Sequence, residues 1–396
     1  MSQKKSSSLS RGQLLLMSSA VSATAANLFY NQPILPQIGE DLSLTSDQLG
    51  AVLASGQIGY AAALLFLSPL GDTMPRRNII TILSILLVAS SLLASNSANF
   101  YVLLAACFMV GLSANITQQL IPFAASLSSP ETKARVIGTI MTGLTIGILL
   151  SRTISGFVGE QLGWRAVFIM SALLASVFGG LLFAFLPKNL PENKMPYFKL
   201  VLSMGSLIVK HATLRQATLT GGFWFAAFNA LWATLALHVH EAPFGYNSQQ
   251  AGLFGVVALA GVVGAKIAGV WNHKVGSRNM INIALVLIAV GFFVSGVFGE
   301  SLIGLIVGII LIDLGVFISQ VSNQVRVFSI DPAAQSRINA VYMLGYYLGA
   351  ALGSYIGVMM FDMYGWYGVA LFSGVMILLS FATNNLVGRY QSKEGA

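Results

Sequence analysis

Charge is what this sequence has least of. Only 9% of its 396 residues are Asp, Glu, Lys or Arg, against roughly a quarter in soluble domains. That scarcity excludes a water-facing surface over most of the chain. The single cysteine, Cys107, lies inside an apolar run, so no intrachain disulfide can form and no redox compartment can be read. Nucleophile elbows, phosphate-cradling loops and paired metal motifs are absent in any credible context, so the chain reads as neither an enzyme nor a holder of metal or cofactor. With no ATP-binding domain, work would have to be driven by a gradient, protons first among the candidates. The net charge of +8 is not gathered into a basic patch interleaved with aromatics, which argues against nucleic acid as a partner. The expected partners are a lipid bilayer and a small-molecule substrate, and the expected assembly is a monomer.

Apolar residues fill the space that charge leaves. They make up 56% of the chain, in runs separated by short polar punctuation. A helix crosses the hydrocarbon core with ~20 apolar residues. The runs therefore predict an all-α integral membrane protein with twelve spans: 12–36, 47–68, 78–97, 100–124, 136–158, 165–187, 214–238, 248–271, 279–299, 302–326, 338–361 and 366–387. The longest non-apolar stretch carries Pro187, Pro191 and Pro196 and falls at the midpoint. The predicted organisation is a tail (1–11), a six-helix bundle (12–187), a linker (188–213), a second six-helix bundle (214–387) and a tail (388–396). The first tail is short, polar and basic, and the apolar run after it reads as a span and not a cleaved signal.

Charge also sets a direction. If both termini lie in the cytoplasm, the inner segments collect Arg11, Arg76, Arg77, Lys133, Arg135, Lys188, Lys194, Lys274, Arg278, Arg337 and Arg389. Glu40, Asp41, Asp47, Glu160, Glu241, Glu300 and Asp362 fall on the other side. Such a bias in basic residues orients membrane proteins. A bacterial inner membrane is the expected location.

The two halves repeat one another at an offset of 202 residues. Thr45-Ser46-Asp47-Gln48-Leu49-Gly50 lies on Asn247-Ser248-Gln249-Gln250-Ala251-Gly252, and Gly163-Trp164 lies on Gly365-Trp366. Gly143, Gly147, Ser151 and Ser155 lie on Gly345, Gly349, Gly353 and Gly357. Six is even, so the repeats share one orientation, and parallel repeats place a substrate site near the midplane between them. Small residues at every fourth position let two helix backbones approach closely in lipid. Such ladders serve either static packing or a surface on which the halves rock. Trp164, Trp366 and Tyr367, near span ends, read as membrane-interface anchors.

These features resemble the major facilitator superfamily over essentially the whole chain. Ser68-Pro69-Leu70-Gly71-Asp72-Thr73-Met74-Pro75-Arg76-Arg77 is similar to the family's loop between spans 2 and 3, and Gly269 to Arg278 is its second-half counterpart. Pro130-Glu131-Thr132-Lys133-Ala134-Arg135 and Gly163-Trp164-Arg165-Ala166-Val167-Phe168 resemble two further family segments. Within the superfamily the chain most resembles the twelve-span drug:proton antiporters and efflux permeases. Cys107 stands where that branch often has an arginine, and Arg152 falls where it has none.

The resemblance implies two pseudo-symmetric six-helix bundles with spans 1, 4, 7 and 10 around a cavity. It therefore implicates Asn27, Tyr30 and Asn31 in span 1, Asn115, Gln118 and Gln119 in span 4, and Trp224, Phe228, Asn229 and Trp232 in span 7. Gln320 and Gln324 in span 10 and Tyr346 in span 11 join them.

Charges within spans are the strongest pointers, because each is costly without a cavity or partner. Asp313 shares a helical stripe with Phe317, Gln320 and Gln324, and reads as a proton-coupling or substrate group or as a structural partner. Arg152 cannot release a proton; it reads as an anion-binding or gating group or as an anchor for helix carbonyls. Asp72, Arg76, Arg77, Arg135 and Arg337 form a candidate cytoplasmic gate or latch, against the alternative of solvated orientation signals. His238 and His240, two apart on a helix, point in different directions and make no metal pair. The function expected is alternating-access transport of a small organic solute, foremost proton-coupled efflux of a drug or metabolite. A proton-coupled uptake symporter and a non-transporting membrane receptor are the alternatives.

Overall fold

The computed structural model describes residues 9–187, 196–331 and 334–386, and these are helical throughout with short connections and no strand among them. Span 1 is broken into α1 (Arg11–Ala26) and α2 (Leu35–Leu42). Spans 2 and 3 are α3 (Ser46–Phe66) and α4 (Arg76–Ser95). Span 4 is α5 (Phe100–Ser113) plus α6 (Ile116–Ser126). Spans 5 and 6 are α7 (Pro130–Leu162) and α8 (Trp164–Phe185). A further helix, α9 (Tyr197–Lys210), lies within the stretch the sequence marks as a linker. Span 7 is α10 (Ala212–His240), and span 8 is α11 (Ser248–Val257) plus α12 (Ala260–Val275). Spans 9 and 10 are α13 (Ser277–Val297) and α14 (Leu302–Phe328). The last helix, α15 (Gln335–Leu386), is folded at Gly365 into spans 11 and 12. Among the described residues, ten helical stretches are long and apolar enough to cross a membrane, the last of them Arg337–Asn385. That stretch crosses twice because of its fold, and α1 with α2 supplies the remaining crossing, which makes twelve.

The repeated sequence motifs turn out to be structural punctuation. Thr45 and Asn247 each cap the helix they open, accepting from the backbone N–H of Gln48 and Gln250, whose side chains accept in return from the cap backbone. This reciprocal box satisfies amide donors that the first helical turn leaves orphaned. Gly163 and Gly365 have φ of +84° and +60°, a region that only glycine enters freely, and each reverses the chain between adjacent spans. The tryptophans next in sequence are buried rather than lipid-anchored. The Trp164 indole donates to Asp41 Oδ2 at 3.2 Å and that of Trp366 to the Ser295 carbonyl at 2.8 Å. Tyr367 alone of the three is exposed. Arg165 also donates to Asp41, and this bond holds the Asp41 carboxyl below its usual range.

The glycine ladders pack inside each half. A methyl group on Gly147 would collide with the Ser22 carbonyl oxygen, so span 5 is pressed against span 1. On Gly353 it would collide with the Ala226 carbonyl oxygen, so span 11 is pressed against span 7. The seam between the halves is formed instead by span 2 against span 11 and span 5 against span 8. Near the face away from the termini, the duplication repeats itself across this seam. Glu160, ending span 5, accepts from the Ser248 backbone N–H at the start of span 8 (3.2 Å). Asp362, ending span 11, accepts from the Ser46 hydroxyl at the start of span 2 (2.6 Å). Residues 160 and 362, like 46 and 248, are 202 apart, so one contact is made twice. Both place a carboxylate at a helix N-terminus, where the helix dipole favours negative charge. Tyr355 to Asp47, and His240 to Glu40 at 3.2 Å, add to this closure.

Close packing of span 11 on span 7 predicts that Gly353→Val lowers the thermal midpoint and the monodisperse yield of purified protein, by about 1–3 kcal/mol for overpacking. Gly138→Ala, with nothing within 4 Å of the added carbon, should be neutral or stabilising by up to ~1 kcal/mol. Equal behaviour of the two variants in a thermal unfolding assay would contradict this packing.

Candidate functional site

The site begins with the break in span 1. Pro33 has no N–H to continue a helix, and residues between α1 and α2 close tight turns, with Phe29 N–H to the Ala26 carbonyl and Gln32 N–H to that of Phe29. Non-helical backbone at membrane depth is tolerated where protein buries it or a cavity faces it. Here it turns Phe29 and Gln32, both buried, toward span 5.

Arg152 on span 5 meets them and is itself 1% exposed. Its Nε donates to Gln32 Oε1 at 2.7 Å and one terminal nitrogen to the Ile148 carbonyl at 3.4 Å. Its guanidinium carbon stands 3.9 Å from the centroid of the Trp232 ring, 5.0 Å from that of Phe29 and 5.9 Å from that of Phe228. Phe29 and Gln32 belong to the first half, Phe228 and Trp232 to the second, so this cation is held by both. Glycines on span 8 allow the approach: a methyl on Gly252 would lie 2.6 Å from the Arg152 carbonyl oxygen. The second terminal nitrogen of Arg152 has no hydrogen-bond partner.

Asp313 on span 10 is the complementary charge, 0% exposed. Neither of its carboxyl oxygens has a hydrogen-bond partner. Asp313 and Arg152 feel each other's charge across the seam, yet both keep an open valence on the side chain. Isolated charges in an apolar interior are expensive, so each needs the other, a ligand or a change of protonation. The cavity beside Arg152, bounded by Gln32, Pro33, Trp232, Leu235, Ala236 and Ala251, is only about 10 Å³. The site is shut in this conformation.

An aromatic column runs from the site along the seam. Phe228 lies 6.2 Å from Trp232 and 5.6 Å from Phe225. Phe225 stacks on Tyr346 at 3.5 Å and meets Tyr347 edge-on at 6.0 Å, and Tyr347 contacts Tyr60 of the first half at 4.3 Å. Along it, the indole N–H groups of Trp224 and Trp232 and the Asn229 side-chain oxygen have no partners.

The other sequence candidates divide. Gln118 donates to the Tyr60 hydroxyl at 3.0 Å and so reaches the column. Asn31 keeps a free side-chain oxygen and Asn115 a free amide nitrogen. Gln320 and Gln324 are half-buried. Asn27 is engaged inside its own bundle, by the Ser171 hydroxyl and the Ala23 and Thr24 carbonyls. Tyr30 lines a different groove of about 400 Å³ between spans 1, 5 and 6. Gln119 is spent on Arg76 (3.2 Å) and on the Leu67 carbonyl (3.0 Å).

The basic residues of the candidate latch are dispersed. Arg76 is buried beside Gln119, Arg77 lies over the Phe183 ring at 4.6 Å, and Arg135 is exposed. Arg337 donates to Ser203 of α9 at 2.8 Å. The side chain of Asp72 lies outside the described residues. His238 faces the Gly299 carbonyl and His240 faces Glu40. Phe29, Tyr60 and Tyr347 escape sequence reasoning, since an aromatic facing the seam and one facing lipid look alike there. Pro33 beside Gln32 was the available signal for the broken span.

The pair of charges predicts a measurable coupling. With Arg152→Gln and Asp313→Asn made singly and together, thermal stability should be non-additive by about 0.5–3 kcal/mol. Additivity within ~0.5 kcal/mol would show that the two side chains do not interact.

Comparison with known proteins agrees with this architecture. The family model described as Major Facilitator Superfamily matches residues 15–333 and 225–391. An uncharacterized transporter of Escherichia coli O157:H7, YgaY, is 34% identical over 377 residues, covering 95% of this chain and 96% of the relative. A probable transporter of Streptomyces coelicolor, SCO4007, is 29% identical, covering 93% and 86%. Among solved structures, an inward-facing bacterial homologue of the human lysosomal transporter Spinster superposes with a TM-score of 0.81 at 14% identity, over 100% of this chain and 99% of that one. The nucleoside transporter NupG gives 0.78 at 15% identity, over 93% and 98%. Relatives of this similarity are transporters, not enzymes. The chain is thus a multi-pass integral membrane protein that belongs to the major facilitator superfamily.

Proposed function

We propose that the chain is a secondary active transporter that exports a small organic solute, a drug or metabolite, in exchange for protons. Two six-helix units, 12–187 and 214–387, rock about the seam so that a midplane site opens to each face in turn. The observation that carries the reading is Asp313: a fully buried carboxyl with both oxygens unpartnered, within the field of Arg152 from the other half. A group so placed has three ways to be satisfied: a proton, a cationic ligand group or its counter-charge. A coupling site must be able to switch among these. Arg152 stays charged and supplies the fixed reference, so loading a proton on Asp313 changes the net charge of the site by one.

The two faces would open by different means. On the face away from the termini, the paired carboxylate caps at Ser46 and Ser248 must part. On the terminal face, α9 is tied to span 2 by the Tyr197 hydroxyl on the Phe66 carbonyl (2.7 Å) and to span 11 by Arg337 on Ser203. Arg337 then acts as a gate through α9. The basic residues gathered near the terminal face support a cytoplasmic position for it, in a bacterial inner membrane.

Purified protein in liposomes under an imposed pH gradient, supplied with a cell metabolite extract, should move at least one solute against its concentration gradient. Asp313→Asn should reduce gradient-driven movement at least about tenfold, a difference of ~1.4 kcal/mol, while exchange of labelled for unlabelled solute persists. Undiminished driven transport in that variant would remove Asp313 from coupling. In cells, overexpression should lower intracellular accumulation of the solute. A rise would instead indicate uptake by symport.

A further inference from the structure

Resting on the transport reading of Asp313, we infer that the solute is a zwitterion with an apolar, preferably aromatic, body, its carboxylate taken by Arg152 and its ammonium by Asp313. Four features of the site argue for this.

The first is the matched pair of open valences. Arg152 has used Nε on Gln32 and one terminal nitrogen on the Ile148 carbonyl, which leaves the other terminal nitrogen free. A guanidinium fork favours carboxylate over other acceptors. Asp313 offers two free oxygens and has no protein donor, so what it lacks is a donor with several N–H groups. An ammonium supplies three.

The second is that the charges sit on opposite halves and form no direct ion pair with each other, or with any other side chain among the described residues. Two residues meant only to neutralise one another inside lipid would be expected to close that contact, because the energetic return on a buried pair depends on close geometry. Held apart but within each other's field, they leave one open valence on each half. A ligand that spans both ties the halves together, which an anion or a cation alone does not do.

The third is the lining. Trp232, Phe228 and Phe29 surround the guanidinium, and the column continues through Phe225. A flat apolar body would stack there, while the free Asn229 oxygen and Trp232 N–H offer peripheral polar contacts. A strongly hydrophilic zwitterion would leave these rings unused.

The fourth concerns exchange. The cavity of about 10 Å³ holds no such ligand, so binding belongs to a conformation with the halves parted. An ammonium arriving at Asp313 takes the place of a proton there, and its departure leaves the carboxyl to be protonated again. Substrate and proton therefore compete for a single group, which gives obligatory exchange without a second coupling site.

Thermal stabilisation of the purified protein by three related probes tests this: L-phenylalanine or the dipeptide Phe-Phe as zwitterions, the corresponding amides without the carboxylate, and the N-acetyl forms without the ammonium. One of the zwitterions should stabilise at concentrations at least about tenfold lower than either singly charged form. Arg152→Gln should erase its advantage over the amide and Asp313→Asn its advantage over the N-acetyl form, each leaving the other preference in place. Equal stabilisation by singly charged forms, or none by either zwitterion, overturns the inference. Gradient-driven transport from the metabolite extract would in that case still stand or fall separately, because it presumes no substrate class. Should a variant fail to purify, competition by the same probes against solute flux in wild-type liposomes decides between the same outcomes.

Discussion

A guanidinium that cannot discard its charge, buried within a membrane span, constrains everything around it. Arg152 is costly there unless donors, rings and a counter-charge converge on it, and the fold supplies all three from separate elements. Span 1 gives up helical continuity at Pro33 so that Gln32 can accept from it. Span 7 brings two aromatic rings over the guanidinium face, an arrangement that gains strength where water is excluded. Span 8 approaches so closely that Gly252 has no room for a side chain. Span 10 contributes Asp313. Four spans from both halves are thus committed to one side chain, and the seam cannot move without altering its surroundings.

The duplication makes a scaffold out of what the halves share and a site out of what they do not. Shared positions are caps, turns and close packing: the boxes at Thr45 and Asn247, the reversals at Gly163 and Gly365, the ladders on spans 5 and 11, and the carboxylates at 160 and 362. At the site the correspondence fails. The counterpart of Arg152 is Ser354, that of Asp313 is Gly111, and that of Pro33 is Leu235. A symmetric frame can rock with both halves equivalent, whereas a charge pair with one member per half gives the interior a polarity.

Conformational energy is divided between the two faces in different ways. The face away from the termini is sealed by repeated carboxylate contacts at helix starts. Deeper in the seam the contacts are rings, Tyr60 on Tyr347, and beyond them the ties run through α9. Parting these tilted rings exposes apolar faces as well as tyrosine hydroxyls, whereas parted carboxylate caps must be rehydrated. The shut site between them is where Arg152 and Asp313 wait with open valences.

The solvent, the number of crossings, the duplication and the two intramembrane charges are legible in the chain before it folds, because each is a matter of composition, run length or spacing. It also marked Trp232, Phe228, Asn229 and Gln118 as worth attention. Folding was needed to bring Arg152 and Asp313 within each other's field, to spend Asn27 and Gln119 on internal bonds, to turn Tyr30 to another groove and to bury Trp164 and Trp366. The physical reason lies in the solvent. In water, a helix reveals its buried face by apolar periodicity. In lipid, the outward face and the packed face are both apolar, so the rotation of each span is set by contacts between residues from about forty to more than a hundred positions apart. Such contacts exist only once the chain has folded.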